Sequence, residues 1–193
     1  MKHLILITGA ALTLSALQTA QAKARDAASV ACPASGPDSP LELHEAWILQ
    51  GWERRDGDPE YDFAAKLGRF YDLNDRDGVF FDNFAPGASQ LFDDAAVYGA
   101  NWKGLQDATR TVSHGLREAG AEALVSDDVA SSTLGFVGRL EQLTGQVSAF
   151  DARSQIAWRC VDGAWKIRHE LNYAWPVEPA TIEALLPSAP AQR

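Results

Sequence analysis

A chain of 193 residues with 26 acidic against 17 basic side chains carries a net charge of −9 and shows no basic cluster. Such a surface excludes nucleic acid and anionic lipid as natural partners and mainly favours solubility. Lys2 and His3 lead into a run of mostly Leu, Ile and Ala from Leu4 to Leu17, and Ala20-Gln21-Ala22 places small residues at both positions a signal peptidase reads. That run is too short to span a bilayer comfortably, and no later segment is long and apolar enough to do so. Residues 1–22 therefore read as a secretory signal peptide cleaved after Ala22, giving a secreted or periplasmic protein with no membrane contact after cleavage. A lipoprotein is the weaker alternative: Val30-Ala31-Cys32 faintly resembles a lipobox, but polar and charged residues separate Cys32 from the apolar run.

The mature chain of about 170 residues is one domain of ordinary size. Residues 23–38, rich in Ala, Ser, Pro and Gly, form a flexible lead-in. Ser39-Pro40-Leu41-Glu42 sets an N-cap, a proline at the first helical position and a glutamate three residues on, which predicts a helix to about Arg55. Asp58-Pro59 repeats that start, and Phe63, Leu67, Phe70 and Tyr71 follow at helical spacing. Val79–Asp82 reads as a short strand closed by Pro86-Gly87. A third helix fits Asn101 to Ala119, with Leu105, Val112 and Leu116 on one stripe.

Beyond Gly120 the period changes to two. Strands fit 121–126, 129–142, 147–161 and 164–175, with turns at Thr144-Gly145 and Asp162-Gly163. In the last strand Trp165, Ile167, His169 and Leu171 share one face by alternation. Three helices followed by long strands predict an α+β domain over residues 39–178, its helices packed on a mostly antiparallel sheet. Residues 179–193 are expected to be a short helix and a frayed tail. Cys32 and Cys160 either close a long loop, worth about 4–5 kcal/mol by chain entropy, or stay apart, with Cys160 buried in a strand.

Three stretches carry a likeness to a known family. They are Val79-Phe80-Phe81-Asp82 with Pro86-Gly87, Ser126-Asp127-Asp128-Val129-Ala130, and Arg153 with Val161-Asp162-Gly163-Ala164-Trp165-Lys166-Ile167-Arg168-His169-Glu170. In order and spacing they resemble the SnoaL-like branch of the ketosteroid-isomerase and nuclear-transport-factor-2-like superfamily. The resemblance implies a curved sheet wrapped by helices into a cone with an interior pocket, commonly dimeric. Members of that family often continue His-Glu-His after the final hairpin, whereas this chain has Leu171-Asn172-Tyr173.

Two residues stand out as candidates for acid–base chemistry. His169 could act as base or acid if it faces a pocket, or could be a core histidine bonded to its neighbours. Asp82 shares a face with Phe80 and Phe84, where desolvation would make it a stronger base; the resemblance implies the same role, since isomerases of that superfamily work through a tuned carboxyl. Its other reading is a strand-end aspartate that accepts backbone hydrogen bonds in the turn after it. Arg153 could clamp a substrate carboxylate or sit on a solvated face. Trp47, Phe81, Tyr98 and Trp102 could line an apolar pocket or be ordinary core, and Tyr98 could donate to an oxyanion. His44, His114 and His169 lie far apart in sequence, and no spacing resembles a metal site, a phosphate loop or a nucleophile elbow, so no metal and no cofactor is implied.

The expectation is an exported protein that binds a small, largely apolar molecule, with cofactor-free isomerase, dehydratase or hydrolase chemistry. The alternative is a non-catalytic ligand- or partner-binding module that forms a homodimer through its outer sheet face.

Overall fold

The computed structural model describes residues 30–187, so the expected signal peptide, the first part of the lead-in and the end of the tail lie outside the described residues. Within the described part of the lead-in, Cys32 is joined to Cys160 across a sequence separation of 128. Trp165 Nε1 also donates to Pro33 O at 2.8 Å, so this segment is tied to the sheet by two independent contacts.

Helix α1 (Pro40–Ala46) starts at the proline signal, but the Ser39 side chain makes no capping bond. It ends well before Arg55, passing into a π-helical turn, Trp47–Gly51. The wider turn lets Trp47, Ile48, Gly51 and Trp52 all be buried. Gly51 lets the turn pack closely there, because a Cβ would lie 2.2 Å from Leu67 Cδ2 and would force that side chain to shift. Helix α2 (Phe63–Leu67) is one short turn capped by Asp62, whose Oδ1 accepts from Ala65 N at 3.0 Å. Asp58 instead closes a turn by accepting from Arg55 N at 2.9 Å. Phe70 and Tyr71 lie beyond the helix, where Phe70 O accepts from Ile167 N at 2.7 Å and holds the segment against the sheet.

Strand β1 (Val79–Asp82) is followed by the short β2 (Leu91–Phe92) and by helix α3 (Ala95–Asp107). Asp94 caps α3, its Oδ1 accepting from Ala96 N and Val97 N at 2.8 and 3.0 Å. The predicted third helix is thereby corrected: it begins six residues before Asn101, and Thr109 opens a strand. Val112 and Leu116 are four apart, a spacing that fits one face of a helix and one face of a strand equally well. The β-branched residues around Thr109-Arg110-Thr111-Val112 settle the choice.

Strands β3 (Thr109–Val125), β4 (Val129–Gln142), β5 (Val147–Val161) and β6 (Ala164–Val177) form an antiparallel meander, and β1 adds parallel to β6. The sheet order is β2-β1-β6-β5-β4-β3. Asp162 and Gly163, both with positive φ, make the β5–β6 turn as the Asp-Gly pair predicts. The helices cover one face, and an aromatic-rich core built from Trp47, Trp52, Phe63, Tyr71, Phe80, Tyr98 and Trp158 lies between. On the opposite face the expected C-terminal helix is two 3-10 turns, Pro179–Thr181 and Glu183–Leu185, which seat Ile182 against Val137 and Ala149. Gly115 permits that docking, since a Cβ would lie 1.9 Å from Leu185 O.

Candidate active site

The site is built by one irregularity in β6. Ala157 pairs with His169 and Trp158 with Ile167, which leaves Arg168 as an extra residue on β6. A bulge of this kind resets the inward and outward alternation. Trp165 and Ile167 point into the core, but after the bulge Glu170, Asn172 and Ala174 do so, and His169 is exposed. The expectation that His169 and Leu171 share the face of Trp165 is therefore corrected. The parallel register with β1 then places Phe80 beside Glu170 and Asp82 beside Asn172.

Asp82 lines a cavity between the helices and the sheet, together with Trp47, Trp52, Trp102, His114, Phe136 and Asn172. The cavity offers the centres of water-sized molecules about 60 Å³ and lies within walls made mostly of rings and aliphatic groups. That is room for a few waters as it stands, and for a small organic molecule only once the walls give way. Among the described residues no lysine or arginine lines it.

Behind the wall, Asp82 belongs to a buried polar cluster. Its Oδ1 accepts from Phe84 N at 2.8 Å, while its Oδ2 lies 3.1 Å from Tyr98 Oη and 3.3 Å from Asn172 Nδ2. Tyr98 Oη is also 2.8 Å from Glu170 Oε1, to which Asn172 Nδ2 donates at 2.6 Å. Glu170 Oε2 accepts from Tyr71 Oη, and Tyr71 accepts in turn from Trp47 Nε1 at 2.9 Å.

Burial governs the electrostatics. It pushes Asp82 up to about 6 against the pull of the Phe84 amide, Asn172 and Tyr98. It pushes Glu170 up to about 8, with the Asp82 charge adding to the rise and Tyr71, Tyr98 and Asn172 opposing it. The Tyr71 and Tyr98 phenols are raised by burial and then by the Glu170 charge, so both stay protonated donors. The cluster can hold a proton near neutrality next to an apolar space, which is the arrangement general acid–base chemistry needs.

Of the residues singled out in the sequence, Asp82, Trp47 and Trp102 lie on this cavity, and Tyr98 backs Asp82. Phe81 stands on the opposite side of β1, in register with the exposed Leu171. Arg153 is exposed on the outer face, 4.0 Å from Asp151. His169, Arg153 and Phe81 are thus away from the cavity. Glu170, Asn172, Tyr71 and His114 complete the site unforeseen. His114 falls in the stretch whose spacing predicts a helix; its ring meets the edges of Phe136 and Phe150, and its Nδ1 has no hydrogen-bond partner. Simple alternation puts Glu170 and Asn172 on the outer face, and only a signal for the bulge would move them inward.

A second buried cluster is structural in character. His44 on α1 places its ring nitrogens 2.9 Å from Ser132 Oγ on β4 and 2.9 Å from Ser154 Oγ on β5, and Trp158 Nε1 donates to Ser132 at 2.8 Å. Burial pushes His44 down to about 3, so it is neutral and pins the helix to the sheet.

No protein-family model and no curated protein matches this chain. Solved structures do. A Novosphingobium aromaticivorans protein described as an aromatic ring hydroxylase matches with a TM-score of 0.55 at 17% identity, over 76% of this chain and 96% of its own. A Xanthomonas campestris protein described as a calcium/calmodulin-dependent protein kinase II association domain matches at 0.51 and 20% identity, over 78% and 96%. The fold is nuclear-transport-factor-2-like. A nuclear transport factor 2-like superfamily protein from Salmonella enterica serovar Typhimurium also matches, at 14% identity over 60% of this chain and 78% of its own, with a TM-score of 0.47. At these identities the likeness is one of fold, and what the nuclear-transport-factor-2-like cone does here must be argued from its own side chains.

Proposed function

We propose that this cone binds a small, neutral, largely apolar molecule and moves a proton on it without a cofactor, in a reaction of isomerase, dehydratase or hydrolase type. The observation that carries this reading is the Asp82 carboxyl, buried, raised to about 6 and set in the wall of an otherwise apolar cavity. Asp82 takes or gives the proton. Among the described residues no lysine or arginine lines the wall to balance an anionic ligand, which favours a neutral ligand over carboxylates and phosphates. Trp47 and Trp102 give flat apolar surface, and His114 is the second titratable group on the wall. Tyr98 holds Asp82 from behind and is a positioning residue, in place of the direct oxyanion role its residue type suggested.

The test needs no knowledge of the natural substrate. Cyclic ketones carrying exchangeable α-hydrogens are incubated with the mature protein in D₂O, and deuterium uptake is followed by NMR. Protein-dependent exchange that falls by about 10²–10⁴ in Asp82→Asn supports the reading. Exchange no faster than buffer, or equally fast in Asp82→Asn, contradicts it.

A second reading is supported by the outer sheet face, where Leu171, Tyr173 and Trp175 are 50%, 54% and 38% exposed in a row along β6. These residues suit a homodimer contact, which can accompany either function. Among the described residues no helix is long and apolar enough to cross a membrane. Export under the N-terminal signal is compatible with the Cys32–Cys160 disulfide, a bond favoured outside the reducing cytosol.

A further inference from the structure

The hydrogen inventory of the buried cluster does not close with both acids ionised. Asn172 Nδ2 has two hydrogens and two acceptors, Glu170 Oε1 and Asp82 Oδ2. The hydrogen of Tyr71 is committed to Glu170 Oε2, because Tyr71 itself accepts from Trp47 Nε1. The Phe84 amide fills Asp82 Oδ1. Tyr98 is left with one hydrogen and two carboxyl oxygens, at 2.8 and 3.1 Å. One contact is filled by the phenolic hydrogen, and the other requires a hydrogen carried by the carboxyl itself.

We propose that Asp82 and Glu170 share one proton through the Tyr98 hydroxyl, with Glu170 as the store from which Asp82 is reprotonated. In one form Glu170 Oε1–H donates to Tyr98 Oη, and Tyr98 Oη–H donates to the Asp82 carboxylate. In the other, Asp82 Oδ2–H donates to Tyr98, and Tyr98 donates to the Glu170 carboxylate. The forms interconvert when the Glu170 O–H bond breaks as a new O–H forms at Tyr98, while the original Tyr98 O–H breaks as one forms at Asp82. One proton has then moved from Glu170 to Asp82 and one negative charge has moved back. The pair keeps a total charge of −1 throughout.

Asp82 is thus a base in the first form and an acid in the second, with no exchange with bulk water in between. Glu170 does not line the cavity and acts through Tyr98, so it is a positioning residue. The ordering of the two acids, Asp82 about 6 and Glu170 about 8, favours the first form at neutral pH. The other titratable groups facing the pair are Tyr98 from α3, Tyr71 and Tyr61 from the segments flanking α2, and His114 across the cavity on β3. The use of this relay in turnover rests on the acid–base reading of Asp82, but the shared proton does not.

The experiment is a carboxyl ¹³C NMR titration of the ligand-free mature protein with its disulfide intact, so it is independent of the D₂O exchange test. Expected are two inflections at common pH values in both the Asp82 and Glu170 signals, as coupled sites require. Glu170→Gln should leave Asp82 with a single inflection. Tyr98→Phe should reduce the component each acid shows at the other's inflection several-fold, because the bridging hydroxyl is gone. A single-step Asp82 in the wild type overturns the proposal, as does a Tyr98→Phe protein whose shared inflections are unchanged. If that variant does not fold, the wild-type Tyr98 Cζ signal decides: it must shift at both inflections while the phenol stays protonated, and a Cζ signal blind to them overturns the relay.

Discussion

Asp82 and Glu170 are both acids whose folded-state affinity for a proton is raised, and the sign of the consequence is the same for each. A group of this kind stabilises the fold below its unfolded value and loses that contribution as pH rises through its folded value. Stability should therefore decline between about pH 4 and about pH 8 as the two carboxyls ionise in turn. Urea midpoints measured across that range should show the decline in the wild type and a shallower one in Glu170→Gln; equal slopes would remove Glu170 as its source. For turnover the dependence is bell-shaped, rising through about 6 as Asp82 becomes a base and falling through about 8 as Glu170 gives up the stored proton. The alkaline limb should vanish in Glu170→Gln, whereas a merely structural Glu170 would leave both limbs in place. Asp82 could be singled out from its residue type and its period with Phe80. Glu170 could not, because its inward direction depends on one extra residue two positions earlier.

At the level of elements, hydrophobic spacing located β4, β5 and β6 to within a few residues, since a strand of 14 or more residues repeats its period many times, but it caught only the end of β3. The helices are short, and two fault lines misplaced their ends. Ser39-Pro40 does mark the start of α1, although the Ser39 side chain makes no cap bond, whereas Asp58-Pro59 starts no helix and the caps of α2 and α3 are Asp62 and Asp94. The spacing of four from Val112 to Leu116 is common to both structures and could not separate them. Packing of α3 on α2 is tight at Gly99, where a Cβ would lie 2.2 Å from the Phe63 ring. Gly99→Ala should cost about 1–3 kcal/mol by urea denaturation, despite the gain in helix propensity. A neutral or stabilising result would mean that the α2 segment is free to move aside.

At the scale of the whole molecule, the Cys32–Cys160 bond ties the described start of the chain to β5. Spacing alone leaves that pairing open because it says nothing of where two distant cysteines come to rest. Replacing both cysteines with serine should lower stability by about 4–5 kcal/mol on the chain-entropy account, read as a fall in the urea midpoint. The fold itself was legible, because long strands, an Asp-Gly turn and three spaced stretches all point to one architecture. The cavity was not, because its lining comes from separate segments whose convergence no local pattern records. If the exposed row of Leu171, Tyr173 and Trp175 is a dimer contact, Tyr173→Glu should halve the mass seen by sedimentation; an unchanged mass would rule out this face.

Whether the cavity is the working site is decided by where a neutral ring-shaped molecule lodges. The indole N–H signals of Trp47, Trp52 and Trp102 report on its wall, so cyclohexenone can be titrated into the mature protein and compared with benzoate and with an Ala174→Phe variant that narrows the space. Saturable shifts in these three indoles with the enone, absent with benzoate and lost in folded Ala174→Phe, are the expected result. Shifts confined to Trp175 on the outer face, or binding undiminished by the filled cavity, would contradict a ligand site at Asp82.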